Sequence, residues 1–326
     1  MHSELKLRLK KLRAAGAFER VDAIVLYNPE FDMIDPNATY MTNVRADGAL
    51  VVVYPSSVTL YTSDMSAPLT HGSWAKVEKA ESFREVVRGI GGTVGLNGAF
   101  MSYASARRFR KKTDVSPFFA KARAVKTPYE IRTIRASVRE ARRVLASVRI
   151  VRGRTESDVA SDIIRETLSR GLQVAFHPIV ATGRNTSSPH HTPTRIPIKH
   201  FCYVDYGVRY KHYCSDLTVP IGIAEGVREV KGVLDALEEY IKPGVPAAEL
   251  HNTALKLLGF RGKYLIHALG HGIGLEVHEA PRIGPNSKGV LEEGMVVAIE
   301  PAFYMKTRGV RIENNYLVTR NGCKRL

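Results

Sequence analysis

Five side chains able to ligate a metal recur through the second half of the chain. They are Asp205 and Asp216 within VDYGVRYKHYCSD, His271 within GHGIG, Glu300 within AIEP and Glu313 within RIEN. Four carboxylates and one imidazole form a hard, oxygen-rich set that suits two divalent cations of the Mn, Fe, Co or Zn kind better than a thiolate-seeking ion. Spacing adds a geometric argument. A hairpin turning at Tyr210 and Lys211 sets Asp205 opposite Asp216, and one turning at Lys306 and Thr307 sets Glu300 opposite Glu313. Directly opposed residues hold their Cβ atoms about 4.5–5.5 Å apart, where like charges destabilise unless something neutralises them. A cation between the carboxylates removes the conflict. One strand Asp or Glu alone is usually solvated. Here Val204, Val296, Val297, Ile299, Val310 and Ile312 mark the strands as buried, where unpaired carboxylates are costly.

Most of the histidines carry no claim, although all except His2 and His71 lie at or beyond His177. His271 stands out because Gly270, Gly272 and Gly274 surround it and let backbone approach a bound group closely. His278 in VHEAPR and His190 in SSPHHTP are the other two candidates.

The elements that must position these residues follow from periodicity and caps. Residues 23–26, 49–54, 58–62 and 93–96 read as strands, and 4–15 and 103–112 as helical. They describe a small α/β domain without catalytic spacing. A second domain begins near KTPYEIRTIR, where Thr127 caps a helix, Pro128 takes its first position and Glu130 completes a capping box. Ile131, Ile134, Val138, Ala141, Leu145 and Val148 then keep helical spacing. The next helix runs from the Thr155 cap past Asp158 to a stop at Gly171, and two more span 227–241 and 247–258. The order helix, helix, Asp hairpin, helix, helix, Glu hairpin suggests an internal duplication in which each half donates one carboxylate pair.

Composition sets outer bounds. A chain of 326 residues with 44% hydrophobic content reads as a soluble globular protein of two domains. No apolar run is long enough to span a bilayer and residues 1–20 lack the apolar core of a secretion signal, so a cytoplasmic location is expected. Cys202, Cys214 and Cys323 offer neither metal-site spacing nor a disulfide framework, and are expected as free thiols that serve packing. A net charge of +16 raises the question of nucleic acid. The basic residues are instead dispersed over 6–13, 107–112, 132–154 and 306–311, with neither stacking aromatics nor a nucleic-acid motif. They read as solvated faces, with no specific nucleic-acid or membrane partner.

The runs HPIVATGRNTSSPHH, VDYG with YCSDLT, LGHGIGLEVHEAP, MVVAIEP and GVRIENNYLVT resemble successive motifs of the pita-bread metallopeptidases. That group includes methionine aminopeptidase, aminopeptidase P and prolidase. The resemblance implies an α/β chain with a pita-bread catalytic domain over 122–326. Residues 1–121 resemble the smaller domain that creatinase, prolidase and aminopeptidase P carry and methionine aminopeptidases lack. It further implies a dinuclear centre, Mn or Co foremost with Fe or Zn as alternatives. Asp205 would bind one ion, Asp216 and Glu313 would bridge both, and His271 and Glu300 would bind the other. Creatinase lacks these ligands, so their presence argues against creatine chemistry.

The activity implied is that of a metal-dependent exopeptidase of prolidase type, hydrolysing Xaa-Pro dipeptides. The cations would lower the pKa of a bridging water and polarise the scissile carbonyl. Glu300 would act as general base, His278 would stabilise the oxyanion, and His190 would orient the substrate's peptide nitrogen or carbonyl. Arg282 matches an arginine that can hold the carboxylate end of a short substrate. Asp216-Leu217-Thr218-Val219-Pro220 departs from the Thr-Arg-Thr continuation common in prolidases, which bears on substrate preference. The alternatives are an aminopeptidase P acting on longer peptides and, from another class, a non-catalytic binding module. A homodimer in which the smaller domain helps close the partner's site is the assembly implied.

Overall fold

The computed structural model describes residues 1–29 and 33–326, which divide into two compact units, Met1–Arg123 and Ala124–Leu326. In the first unit six strands form one sheet, in the order Lys76–Lys79, Val58–Thr62, Ala49–Val53, Ala23–Asn28, Val94–Leu96 and Lys112–Asp114. Ala49–Val53 is antiparallel to both neighbours and the other pairings are parallel. The apolar inner strands are those read from the sequence; the two edge strands, KVEK and KTD, are too polar to signal themselves. The helix expected over 103–112 is only Tyr103–Ala106. Phe109 turns into the core and Lys112–Asp114 pairs with Val94–Leu96, so sheet extension outweighs a weak helical pattern.

Helix Ser3–Ala14 buries Leu5, Leu9 and Leu12, and with them Arg8. Its guanidinium carbon lies 4.6 Å from the centroid of the Tyr40 ring and 4.7 Å from that of Trp74. It also donates to the Tyr40 carbonyl at 2.6 Å and to Glu4 Oε1 at 3.1 Å. Two aromatic faces and two acceptors offset the cost of burying this charge. Arg8 therefore departs from the solvated face expected over 6–13.

In the second unit both capping boxes form, Thr127 with Glu130 on helix Pro128–Ser147 and Thr155 with Asp158 on helix Glu156–Ser169. Helices Val227–Leu237 and Ala247–Leu257 bury Val230, Leu234, Leu250 and Ala254 in one core with Val297, Ile299 and Phe303. Cys202 and Cys214 are buried free thiols. Among the described residues no helix is long and apolar enough to cross a membrane.

Two long hairpins dominate this unit. In one, Val296–Ile299 pairs with Asn314–Thr319 and the hairpin closes through Ala302–Met305 and Arg308–Arg311. Its register, Ile299 facing Asn314 and Ala302 facing Arg311, sets Glu300 across from Glu313 with the turn at Lys306 and Thr307, as expected. In the other, Phe201–Tyr206 pairs with Leu217–Gly222 and the hairpin closes through Val208–Tyr210 and Tyr213–Cys214. Here the expected register is corrected: Asp205 faces Thr218, not Asp216. The turn centres on Lys211 and His212, one residue later than the spacing suggested. Both adopt left-handed backbone, at φ 44° and 74°, as a two-residue hairpin turn demands, and no glycine or asparagine announces it. Asp216 is diagonal to Asp205 on the same face.

Candidate metal centre

Both hairpins break their ladders where the acidic residues lie, and there they are joined to each other. The Glu313 N–H donates to the Thr218 carbonyl at 3.1 Å, and the Thr218 hydroxyl donates to Glu313 Oε2 at 2.8 Å. The Asp216 N–H donates to Asn315 Oδ1 at 3.1 Å, and Asn315 Nδ2 returns a bond to the Asp216 carbonyl at 2.7 Å. Asp216 and Glu313 are thereby held near each other through their backbones, with Thr218 and Asn315 as the links. His271 comes from strand Gly270–Gly272, between Glu279–Ile283 and Val296–Ile299. A Cβ on Gly270 would lie 2.0 Å from the Ala298 carbonyl oxygen, and one on Gly272 would lie 2.1 Å from that of Ala280. The flanking glycines thus admit neighbouring strands, where the sequence had suggested close approach to a bound group. A register shift between His271 and Gly272 re-aims the imidazole.

Ligating atoms of Asp216, His271 and Glu313 all fall within 4.8 Å of one another. His271 Nε2 is 3.6 Å from Asp216 Oδ2 and 3.8 Å from Glu300 Oε1. His271 Nδ1 lies 3.1 Å from the Gly272 carbonyl, which can only accept, so Nδ1 carries the proton and Nε2 keeps its lone pair. Burial, then His278, brings His271 down to about 4, leaving a neutral imidazole at pH 7. Burial, reinforced by the other carboxylates, raises Asp216 and Glu300 well above the carboxylate range. Glu313 is pushed up to about 8, by burial first and then Asp205. Asp205 is raised by burial against the pull of Arg311. Two buried oxygens, Asp205 Oδ1 and Glu313 Oε1, have no hydrogen-bond partner. Unpartnered carboxylate oxygens beside a deprotonated imidazole nitrogen are what a divalent cation completes, so this donor set fits one.

The centre opens into a cleft of ≈ 830 Å³ that every site residue singled out from the sequence lines. The His278 ring centroid is 4.3 Å from that of His271, and His278 is lowered by burial and then by His190. His190 is exposed on its loop. Arg282 is the direct cross-strand partner of His271. A buried ion pair of 3.2 Å between Lys126 and Glu279 anchors the segment that carries His278 and Arg282.

Arg311 was overlooked in the sequence, grouped with the solvated basic residues of 306–311. It is buried, 3% exposed, and its guanidinium pairs with Asp205 Oδ2. It also donates to Thr218 Oγ1 at 3.1 Å, Tyr304 OH at 2.7 Å and the Pro189 carbonyl at 3.1 Å. A signal existed: Arg311 precedes Glu313 by two, which puts both on one face of an extended segment. Tyr304 in turn lies 3.0 Å from His267 Nε2.

The profile of metallopeptidase family M24 matches residues 132–320. The chain belongs to that family. Membership implies divalent metal ions, in agreement with the donor set of this M24 centre. The chain is 33% identical to the Xaa-Pro dipeptidase of Pyrococcus furiosus, across 99% of this chain and 98% of that one. Its structure superposes on the prolidase from Pyrococcus horikoshii OT3 with a TM-score of 0.87 at 28% identity, covering 99% and 97% of the two chains. It also superposes on the X-Pro aminopeptidase from Thermotoga maritima with a TM-score of 0.86 at 25% identity, covering 97% of each. These likenesses bear out the expected fold, a mixed α/β chain with a smaller N-terminal domain ahead of a pita-bread domain.

Proposed function

We propose that this M24 chain is a prolidase-type Xaa-Pro dipeptidase working with two divalent cations, Mn or Co. The observation that carries the reading is the pairing of Arg282 directly opposite His271. Cross-strand partners lie about 4.5–5.5 Å apart at Cβ and share a face, and Arg282 lines the same cleft as the five candidate ligands, where its guanidinium would meet the far end of a dipeptide. A fixed cation there favours a free carboxylate and penalises a longer peptide. The full-length likeness to an Xaa-Pro dipeptidase supports the same reading.

Asp205, Asp216, His271, Glu300 and Glu313 would hold the cations, with Asp216 and Glu313 shared between them. When bound, the ions supply an acidified water and a polarised substrate carbonyl. The chain's own groups do the rest. Glu300, whose carboxyl burial and then Glu313 raise well above the ordinary carboxylate range, is in its ionised form a stronger base than a free glutamate, suited to take a proton from water and return it to the leaving nitrogen. His278, with its pKa lowered by burial and its ring in edge contact with that of His271, would donate an N–H to the developing oxyanion. His190 orients the peptide at the cleft mouth. A cytoplasmic homodimer completes the proposal, and sedimentation tests the assembly.

The deciding experiment compares Xaa-Pro with Xaa-Pro-Xaa substrates after reconstitution with Mn or Co. Arg282→Ala should lower kcat/KM for Xaa-Pro by about ten- to a hundredfold, the worth of a charge-assisted pair, while affecting an amidated analogue little. If the wild type prefers the tripeptide and Arg282→Ala treats both substrates alike, the dipeptidase reading fails and aminopeptidase P replaces it.

A further inference from the structure

Glu156 takes no part in the chemistry described above, yet it is fully buried and accepts more hydrogen bonds than any carboxylate of the centre. Its Oε1 accepts from the Thr182 N–H at 2.8 Å and from Asn185 Nδ2 at 3.0 Å. Its Oε2 accepts from His191 Nε2 at 2.8 Å, and from the Thr194 N–H at 2.9 Å and hydroxyl at 2.7 Å. All these donors belong to one loop, residues 182–194, and that loop carries His190. Glu156 is the first residue of helix Glu156–Ser169, the end of a helix whose dipole favours an anion. Burial opposes ionisation, but the bonds from Thr194, His191 and Asn185 outweigh it and hold the carboxyl below its ordinary range. An ionised carboxylate only accepts, so His191 carries its proton on Nε2.

On its other side the same loop is held by the catalytic hairpin. Arg311 donates to the Pro189 carbonyl at 3.1 Å and the Gly309 N–H donates to Thr186 Oγ1 at 2.9 Å. His190 follows Pro189 directly and is the exposed residue between two anchored ones, Pro189 and His191. Its backbone is fixed while its ring is left to the cleft.

We infer that Glu156 is a positioning residue whose buried carboxylate sets the 182–194 loop and, through His191, aims His190 at the substrate. The inference rests on the substrate-orienting part assigned to His190 above. Replacing the carboxylate by an amide keeps the shape but turns one acceptor into a donor that faces other donors. The loop must then shift, and a displacement of the order of an ångström in a positioning group costs up to about a hundredfold in rate.

The test is a double-mutant cycle on the metal-loaded enzyme. Glu156→Gln should lower kcat about ten- to a hundredfold with metal stoichiometry unchanged, and about threefold or less in a His190→Ala background. Equal losses in both backgrounds, loss of metal, or wild-type kcat in Glu156→Gln would each overturn the inference. If Glu156→Gln does not fold, His191→Asn, which removes one of the loop's donors, takes its place under the same criteria. Histidine-selective NMR gives a readout independent of turnover: the His190 ring resonance should shift or broaden in Glu156→Gln. An unmoved resonance overturns this inference alone, whereas a wild type that hydrolyses no Xaa-Pro peptide overturns the proposed function and leaves the NMR arm to decide this one.

Discussion

In the hairpin that carries Asp205 and Asp216, part of the buried negative charge is already compensated: Arg311 reaches across and pairs with Asp205. In the hairpin that carries Glu300 and Glu313, neither glutamate has a lysine or arginine ion pair among the described residues, although that hairpin is the one that supplies Arg311. The nearest further nitrogen, Nδ1 of His267, is 3.8 Å from Glu300 Oε2 but lies 2.6 Å from the Ala268 carbonyl. Burial brings His267 down to about 4, so it is neutral at pH 7. The two arms follow one plan and differ in charge. One is a structural ion pair; in the other, burial first and then neighbouring carboxylates raise both acids, a cost that a bound cation would offset.

The largest expected effect separates the two arms by removing a shared carboxylate. Asp216→Asn or Glu313→Gln should reduce turnover to background and lower bound metal. The metal-free protein, relieved of repulsion among its acids, should melt no lower than the wild type. Calorimetry with metal analysis decides this. A metal-loaded Glu313→Gln with wild-type activity would sink the assignment of a shared ligand.

Arg311→Met probes the opposite arm and should behave in the opposite way. It leaves Asp205 buried without its partner, and breaking a buried pair typically costs about 3–5 kcal/mol. Urea unfolding of the metal-free protein should show that loss near neutral pH. A change under about 1 kcal/mol would mean that Arg311 contributes packing and no compensation.

The smallest effect is a pH dependence. The folded-state value of Glu313, about 8, lies above that of a free glutamate, and Asp216 and Glu300 are shifted in the same direction. Folded protein therefore binds more protons than unfolded protein between the ordinary carboxylate range and about pH 8, so metal-free stability is highest at the acid end and falls as pH rises through that window. Divalent ions should abolish the fall and release protons on binding, measurable by titration calorimetry in buffers of different ionisation enthalpy. A metal-free melting temperature that climbs from pH 5 to 8 would contradict the shifts.

The same contrast shows what could be read from the sequence and what could not. The Glu hairpin was legible in register because its turn at Lys306 and Thr307 is the centre of a near-symmetric run of apolar strands. The Asp hairpin was misplaced by one residue because Lys211 and His212 adopt a backbone that their types do not advertise. The ligand types stood out because buried acids are rare. Arg311 did not, since a basic residue in a basic chain looks solvated until strand parity places it beside Glu313. Glu156 was out of reach, because its acceptor role exists only when donors 26 to 38 residues away fold back onto it.

The sandwich of Arg8 between Tyr40 and Trp74 has a practical consequence for anyone who follows these transitions by light. Trp74 is the single tryptophan of the chain, stacked on His2 at 4.5 Å and pressed against a guanidinium, and it belongs to the first unit. Indole emission therefore originates in the unit of residues 1–123, whereas the metal-binding unit has no tryptophan and carries tyrosines such as Tyr203, Tyr304 and Tyr316. Emission excited at the red edge and far-ultraviolet dichroism should coincide only if both units unfold in one step.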